Sequence, residues 1–390
     1  MSPCANNLHL NMQYISLKHF IAPAFIIALS FFMQPQVCAK NVQHAPDKVL
    51  VNKLLQLTYN CQFKEAKEIV DQALKEDSLS LEWNFFDGMI VYYLMFVKRD
   101  YREEGSKFSG MMERVVKIGE DRLARNARDT TALFYTGGAY GYLARYIAKD
   151  GSFFKSAAVA KKGMDVYERL IATTPNCYDA YLSLGVYHSI ASGIPWYIKP
   201  ILYIFGKSGD EDKAVEYLTM VSLKGNLGVY EARWVLAQQY SRTKENEKAF
   251  TLYQSLASQF PNNPAYVSQV IKLLFDQKRY PEAIEIGKIL WENNKSSTSY
   301  DGSLAESYDY LAQAYAETGK FREAIELFEK IIDMSTMVTY SYTMMGNIYE
   351  KVKDYEKAID SYQKAVESGG YAKYRKMSEE RLEVLTRNRK

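Results

Sequence analysis

The stretch Tyr342-Thr-Met-Met345-Gly346-Asn-Ile-Tyr349, followed nine residues on by Ala358-Ile-Asp-Ser-Tyr362-Gln-Lys-Ala365, decides how the rest of the chain is read. Tyr342, Met345, Gly346 and Tyr349 recur at three- and four-residue spacing and so fall on one face of a helix. Ala358, Tyr362 and Ala365 do the same on a second helix. The segment between them is short and polar, so the two helices fold back as an antiparallel hairpin. Thirty-four residues upstream the pattern returns as Tyr308, Leu311, Ala312 and Tyr315, then Ala324 and Phe328, with Gly319 in the turn. An earlier copy gives Leu236, Ala237, Tyr240, Ala249, Tyr253 and Pro261. More degenerate copies lie at Ile271, Leu274 and Ala283, and at Leu54, Leu57, Ala66, Val70 and Ala73.

A period of about 34 residues with an aromatic–x2–Leu–small–x2–Tyr first helix and an Ala–x3–aromatic second helix resembles the tetratricopeptide repeat (TPR) family. The likeness is specific over 230–264, 305–335 and 339–368, and weaker toward the N-terminus. It implies an all-α solenoid, a TPR-like alpha-alpha superhelix of about eight hairpins. One residue of the small position in each first helix can be placed in order: 54, 88, 138, 185, 237, 271, 312 and 346. The intervals from Gly88 to Gly138, Gly138 to Gly185 and Gly185 to Ala237 exceed the standard period, so the second to fourth hairpins are enlarged. Ala-or-Gly positions on both helices predict close helix approach through small-to-small contacts, Gly346 against Ala358 and Ala312 against Ala324. A helix over 371–387 with a Glu/Arg-rich outer face is expected to cap the last repeat.

Residues 1–39 read as a secretory signal peptide. Lys18 precedes the uncharged apolar run Phe20–Met33, and Val37-Cys38-Ala39 offers a cleavage site before Lys40. That run of 14 residues falls short of the ~20 needed to span a bilayer. Val37 is a poor neighbour for a lipid-modified Cys38. The expectation is a single repeat domain over 40–390, exported to the periplasm or secreted, with no transmembrane segment once the leader is removed. Cys61 and Cys177 then remain. The repeat register places them in turns at opposite edges of the array, ~20 Å apart for a helix of about 14 residues. That is beyond the ~7 Å a disulfide tolerates, so two free thiols are expected.

Composition excludes several functions. With 49 basic and 46 acidic residues interspersed throughout, the chain offers no polybasic block for nucleic acid. His44 and His188 stand apart, and His188 replaces a packing tyrosine of its repeat; no metal set, cofactor loop or nucleophile–base arrangement emerges. Gly206-Lys207-Ser208 lacks the first glycine of a phosphate loop, and Gly137-Gly138-Ala-Tyr-Gly141 lies on a predicted helix. The reading is a non-enzymatic scaffold that binds a protein or peptide partner, with no cofactor; the alternative is a hydrophobic small-ligand-binding accessory of an envelope transport system.

By resemblance, the residues one position after, or three before, the small residue of the first helix line the concave face. In the C-terminal half these are Trp234, Gln238, Asp309, Gln313, Thr343 and Asn347, a polar set with one aromatic anchor. Only Asn347 matches the types used by TPR proteins that clamp a carboxylate tail. In the enlarged hairpins they are Phe85, Met89, Tyr135, Ala139, Leu182 and Val186, an apolar set that either extra segments or an apolar ligand must cover. The segment 190–210 is apolar and distinctive, and is expected to fold back over that apolar half with Trp196 and Tyr197 at its lip.

Overall fold

The structure, a computed structural model, describes residues 47–149, 151–194, 209–296 and 301–387. The expected leader and cleavage site, the segment 195–208 with Trp196 and Tyr197, and the polar loop at 297–300 lie outside the described residues. Among the described residues, seventeen α-helices pair into eight hairpins and a cap. They are α1 (Lys48–Tyr59) with α2 (Phe63–Glu76), α3 (Leu81–Lys98) with α4 (Gly105–Arg125), α5 (Thr130–Lys149) with α6 (Phe153–Thr173), and α7 (Tyr181–Ser192) with α8 (Glu211–Lys224). They continue as α9 (Val229–Arg242) with α10 (Asn246–Gln259), α11 (Pro264–Asp276) with α12 (Tyr280–Asn294), α13 (Gly302–Glu317) with α14 (Phe321–Met334), and α15 (Val338–Lys351) with α16 (Tyr355–Glu367). The cap is α17 (Ala372–Arg387). All eight small-position residues fall in the first helix of their hairpin, and the second to fourth hairpins are the enlarged ones.

Local signals account for the helix starts. Ser80, Asp210, Asn263, Asp301 and Asp354 each accept a hydrogen bond from a backbone N–H of the first turn, which would otherwise lack an intrahelical partner. Pro264 opens α11, where its missing N–H is of no consequence. Helix α14 shows the amphipathic logic: Ala324, Leu327, Phe328, Ile331 and Met334 are buried, and Glu323, Glu326 and Glu329 are not. The cap works the same way. Leu385 packs with Ala358 and Tyr362, and Arg381 bonds Glu350 across the helix pair.

Five hairpins turn in one way. Cys61, Lys244, Lys278, Gly319 and Lys353 sit between the two helices with φ of 63°, 64°, 59°, 78° and 63°. Only Gly319 is free of the Cβ penalty there, which is roughly 1–2 kcal/mol for a side-chain-bearing residue. Lys353 is exposed, so its replacement by glycine removes strain without removing packing. K353G is expected to raise stability by about 1 kcal/mol, read as a higher midpoint in urea, and G319A to lower it by a similar amount.

Two expectations need correction. The nearest neighbour of the notch at Gly346 is Tyr362, not Ala358. A Cβ there would lie 2.5 Å from Cε1 of Tyr362, so the glycine admits an aromatic ring from the second helix. The same holds elsewhere: the notch at Gly88 takes Met112, that at Gly185 takes Leu218, and that at Gly138 takes Phe85 and Tyr167. A residue without a side chain leaves room for a large neighbour as readily as for a second small one. Cys61 is a free thiol, as expected, but Cys177 is disulfide-bonded and so is not free. The local repeat register speaks only to a Cys61–Cys177 pair, and that pair is not formed.

The hairpins also meet across long stretches of sequence. Helix α3 buries fifteen of its eighteen residues, more than one face can account for. It lies between its own hairpin and helices from the C-terminal half. Phe96 meets Trp234 edge to face, with ring centres 5.6 Å apart, and Arg99 at its C-terminus pairs with Glu306 of α13. A Cβ on Gly302 would sit 3.0 Å from the carbonyl oxygen of Lys98, so glycine eases the close approach of the start of α13 to the end of α3. At α1, Asn263 Nδ2 donates to the carbonyl of Tyr59 at 2.7 Å, and Gln56 Nε2 to Tyr230 Oη at 3.0 Å. Helices α1, α3 and α5 therefore pack onto α9, α11 and α13.

Candidate functional site

Two concavities result from this closure. The first, of about 870 Å³, is polar. The α3–α4 connection contributes Arg99, Asp100, Tyr101 and Arg102, and α5 ends there at Lys149. The opposite wall is Trp234, Gln238 and Ser241 of α9, with Gln269 of α11. Gln238 is exposed, and Trp234 is held by Phe96, Tyr253 and Tyr266 with part of its edge uncovered. The Lys149 ammonium lies 5.4 Å from the centre of the Tyr101 ring. Arg102 and Asp100 form a loose, largely solvated pair at 3.4 Å. Cations outnumber carboxylates at this rim.

The other residues marked on the concave face are placed differently. Asp309 is buried and accepts a hydrogen bond from Tyr340 Oη at 2.7 Å; burial nevertheless pushes its carboxyl up to about 6. Gln313 lies one turn further along α13 and is half-buried. Thr343 is fully buried beneath α17, donating to the carbonyl of Thr339 at 2.7 Å and meeting Ser378 Oγ at 3.0 Å. Asn347 Oδ1 accepts from Tyr362 Oη at 2.7 Å. The structure thus brings Trp234 and Gln238 together at an open site. It commits Asp309, Thr343 and Asn347 to bonds within the chain, because the capping helix and the last repeats close on the positions that would otherwise face a groove.

The second concavity, of about 380 Å³, is almost wholly apolar and lies among the enlarged hairpins. Phe85, Met89, Leu182 and Val186 line it, four of the six apolar concave positions. The other two, Tyr135 and Ala139, are buried in the packing behind, Tyr135 edge-on to Phe85 with ring centres 5.1 Å apart. Gly137, Gly138 and Gly141 of α5 and Gly163 of α6 form one wall. At Gly163 a Cβ would meet Tyr140 Cβ at 3.0 Å, so the glycines serve close helix packing here.

The lining of this cavity carries a charged cluster that local repeat reasoning missed. Glu231, at the start of α9, is 6% exposed and pairs with Arg145 of α5. It also accepts from Tyr142 Oη at 3.1 Å and Tyr93 Oη at 3.3 Å. The Arg145 guanidinium carbon stands 4.5 Å from the centre of the Tyr142 ring and 5.2 Å from that of Tyr92, a cation–π sandwich. Burial works against the Arg145 cation, but Glu231 and the surrounding tyrosines outweigh it and hold its pKa well above the ordinary value. Burial first, and Glu231 second, push Tyr93 and Tyr142 far above the ordinary phenol value, so both remain donors. The sequence signal was a lone charge, Arg145, in the apolar run Tyr142-Leu-Ala-Arg-Tyr-Ile147. Asp179, also on the cavity wall, is a structural carboxylate that accepts from the backbone N–H groups of Asn226 and Gly228 at 2.9 and 3.0 Å.

Among the described residues no group of His, Cys, Asp and Glu is placed to hold a metal ion, and no helix is long and apolar enough to cross a membrane.

The family model described as the tetratricopeptide repeat protein 21 C-terminal ARM domain matches residues 216–375. Among solved structures, the APC/C hetero-tetramer Cut9–Hcn1 contains a chain 14% identical to this one. The superposition has a TM-score of 0.54 and covers 86% of this chain and 55% of that one, so this chain spans about half of that neighbour. This likeness shows the fold. A crystal structure of MamA is 21% identical over 41% of this chain and 90% of that chain, with a TM-score of 0.36. MamA residues 41-end from Desulfovibrio magneticus RS-1 is 16% identical over 48% and 95%, with a TM-score of 0.37. No curated protein matches the sequence.

Proposed function

We propose that this chain, a TPR-like helical repeat protein, is a non-enzymatic scaffold of the cell envelope that holds a partner protein through an extended, acidic peptide segment in its polar concavity. The observation that carries this reading is the meeting of Trp234 and Gln238 with Arg99, Arg102 and Lys149 around one open space. Trp234 offers an aromatic edge at low entropic cost, and Gln238, Ser241 and Gln269 can exchange hydrogen bonds with a peptide backbone. The three cations favour a carboxylate-bearing segment and steer its approach. An envelope location rests on the leader read in residues 1–39.

A photo-crosslinking residue in place of Gln238, introduced in the native host, tests the proposal. A discrete crosslinked partner is expected. Reversing the two exposed cations, R102E with K149E, should weaken capture about tenfold, given up to ~1 kcal/mol for each exposed charge. The loss should shrink at high salt. Capture unchanged by the double reversal would show that the partner binds elsewhere.

A further inference from the structure

The apolar cavity lies apart from the polar concavity and is partly enclosed. Its volume of about 380 Å³ falls within the ~300–1,000 Å³ range of small-molecule pockets. Its lining is aliphatic and aromatic over most of its extent, and one end opens to solvent. Phe153 at the start of α6 and Ile190 near the end of α7 both line it, and they are 63% and 51% exposed. Large side chains exposed to that degree at the mouth of an apolar cavity form an entry that favours apolar molecules over water.

One part of the lining is polar and electrically balanced. Arg145 and Glu231 line the cavity together with the ring of Tyr142, and the cation and carboxylate are already paired. A guanidinium presents five N–H donors in a plane, more than one carboxylate partner consumes, and a carboxylate accepts several hydrogen bonds. A hydroxyl, carbonyl or amide could therefore bond there without disturbing the balance. A free carboxylate or ammonium could not: it would bring an uncompensated charge next to a satisfied pair in a low-dielectric space.

We infer that this cavity, from the Phe153–Ile190 mouth to the Arg145–Glu231 pair, is a binding site for a compact apolar molecule bearing one uncharged hydrogen-bonding group. The polar group lies against Arg145 and Glu231, and the hydrocarbon fills the space between Phe85, Met89, Leu182 and Val186. The site is separate from the polar concavity, so it can be occupied whether or not a peptide is held there.

The full chain without its leader, stripped of bound lipids by organic extraction and refolded, is titrated with the neutral apolar fluorophore N-phenyl-1-naphthylamine. Saturable fluorescence enhancement is expected, with displacement by decanol at least tenfold better than by decanoate at pH 8. Ala157 and Ala160 line the cavity from α6 and are half-buried, so A157W and A160W fill the space without replacing a core side chain. Either variant that keeps the wild-type melting midpoint is expected to lose enhancement. Decanol should also raise the melting midpoint of the wild type and not of a filled variant, because a ligand that binds only the folded state stabilises it. No saturable enhancement by the wild type, or equal enhancement by a well-folded filled variant, overturns the site. Decanoate competing as well as decanol overturns the uncharged head group. Peptide capture through Gln238 serves as the independent readout: its failure bears on the scaffold reading alone.

Discussion

Replacing Glu231 with alanine is expected to lower the free energy of unfolding by about 3–5 kcal/mol, the range for breaking a buried ion pair by removing one partner. Three groups lose their acceptor at once. The Arg145 guanidinium is left charged between the Tyr92 and Tyr142 rings, and the hydroxyls of Tyr142 and Tyr93 lose the carboxylate they donate to. None can recover full hydration, because Tyr142 and Tyr93 are 5% and 6% exposed. Glu231→Gln keeps an acceptor and gives up the charge, so it should cost less. The pair of changes R145M with E231L should cost less than E231A alone, since replacing both members by apolar groups leaves no stranded charge. Chemical denaturation of the four proteins checks the order. An E231A variant as stable as the wild type would mean that the N-terminal hairpins do not close on α9 through this pair. The position matters because Arg145 and Glu231 belong to helices 86 residues apart, and their pairing is one of the few bonds that hold α5 against α9.

What the sequence discloses and what it withholds follow from the range of the forces involved. The period that places Leu54, Gly88, Gly138, Gly185, Ala237, Ile271, Ala312 and Gly346 on successive first helices is a local property. It is set by side-chain spacing along a helix and by packing between adjacent hairpins, and the structure reproduces it. The cap of 371–387 was legible for the same reason: a helix with one apolar stripe at the end of a repeat array has one place to go. Contacts between α3 and α13, or α1 and α11, join residues about 200 positions apart, and no periodicity encodes them. They explain why Thr343 and Trp234, equivalent by repeat position, fare so differently. Thr343 lies under the cap, whereas Trp234 lies where α3 ends and the facing helices separate. Traces of these contacts are present as exceptions to the pattern. Arg145 is a charge in an apolar run, Glu231 a charge immediately before a core alanine, and Gly302 a glycine at a helix start. Each breaks the local rule because its partner lies in a distant hairpin. Trp196 and Tyr197 themselves lie outside the described residues.

Gly346→Leu is expected to destabilise the protein by about 1–3 kcal/mol, the cost of overpacking a well-filled core. The first atom of the new side chain is already in conflict. A Cβ built on Gly346 lies 2.5, 2.7 and 2.8 Å from Cε1, Cδ1 and Cζ of Tyr362, distances that real Cβ contacts do not show. The ring cannot swing aside cheaply. Tyr362 is fully buried, and its hydroxyl donates toward Asn347 Oδ1 and Glu350 Oε1, each at 2.7 Å. Glu350 in turn is bonded by Arg381 of the cap. Displacing the ring therefore strains a relay that runs from α15 through α16 to α17. Gly346→Ala carries the same first atom and should show most of the effect, whereas Ala358→Leu, at a fully buried residue that is not the notch's nearest neighbour, should destabilise by a route independent of Tyr362. Combining G346A with Y362A separates the two cases. If the ring is what fills the notch, the loss caused by G346A should largely disappear in the Y362A background. The A358L loss should persist there. Equal G346A losses with and without the ring would return the notch to the small-to-small packing that the repeat pattern alone implies.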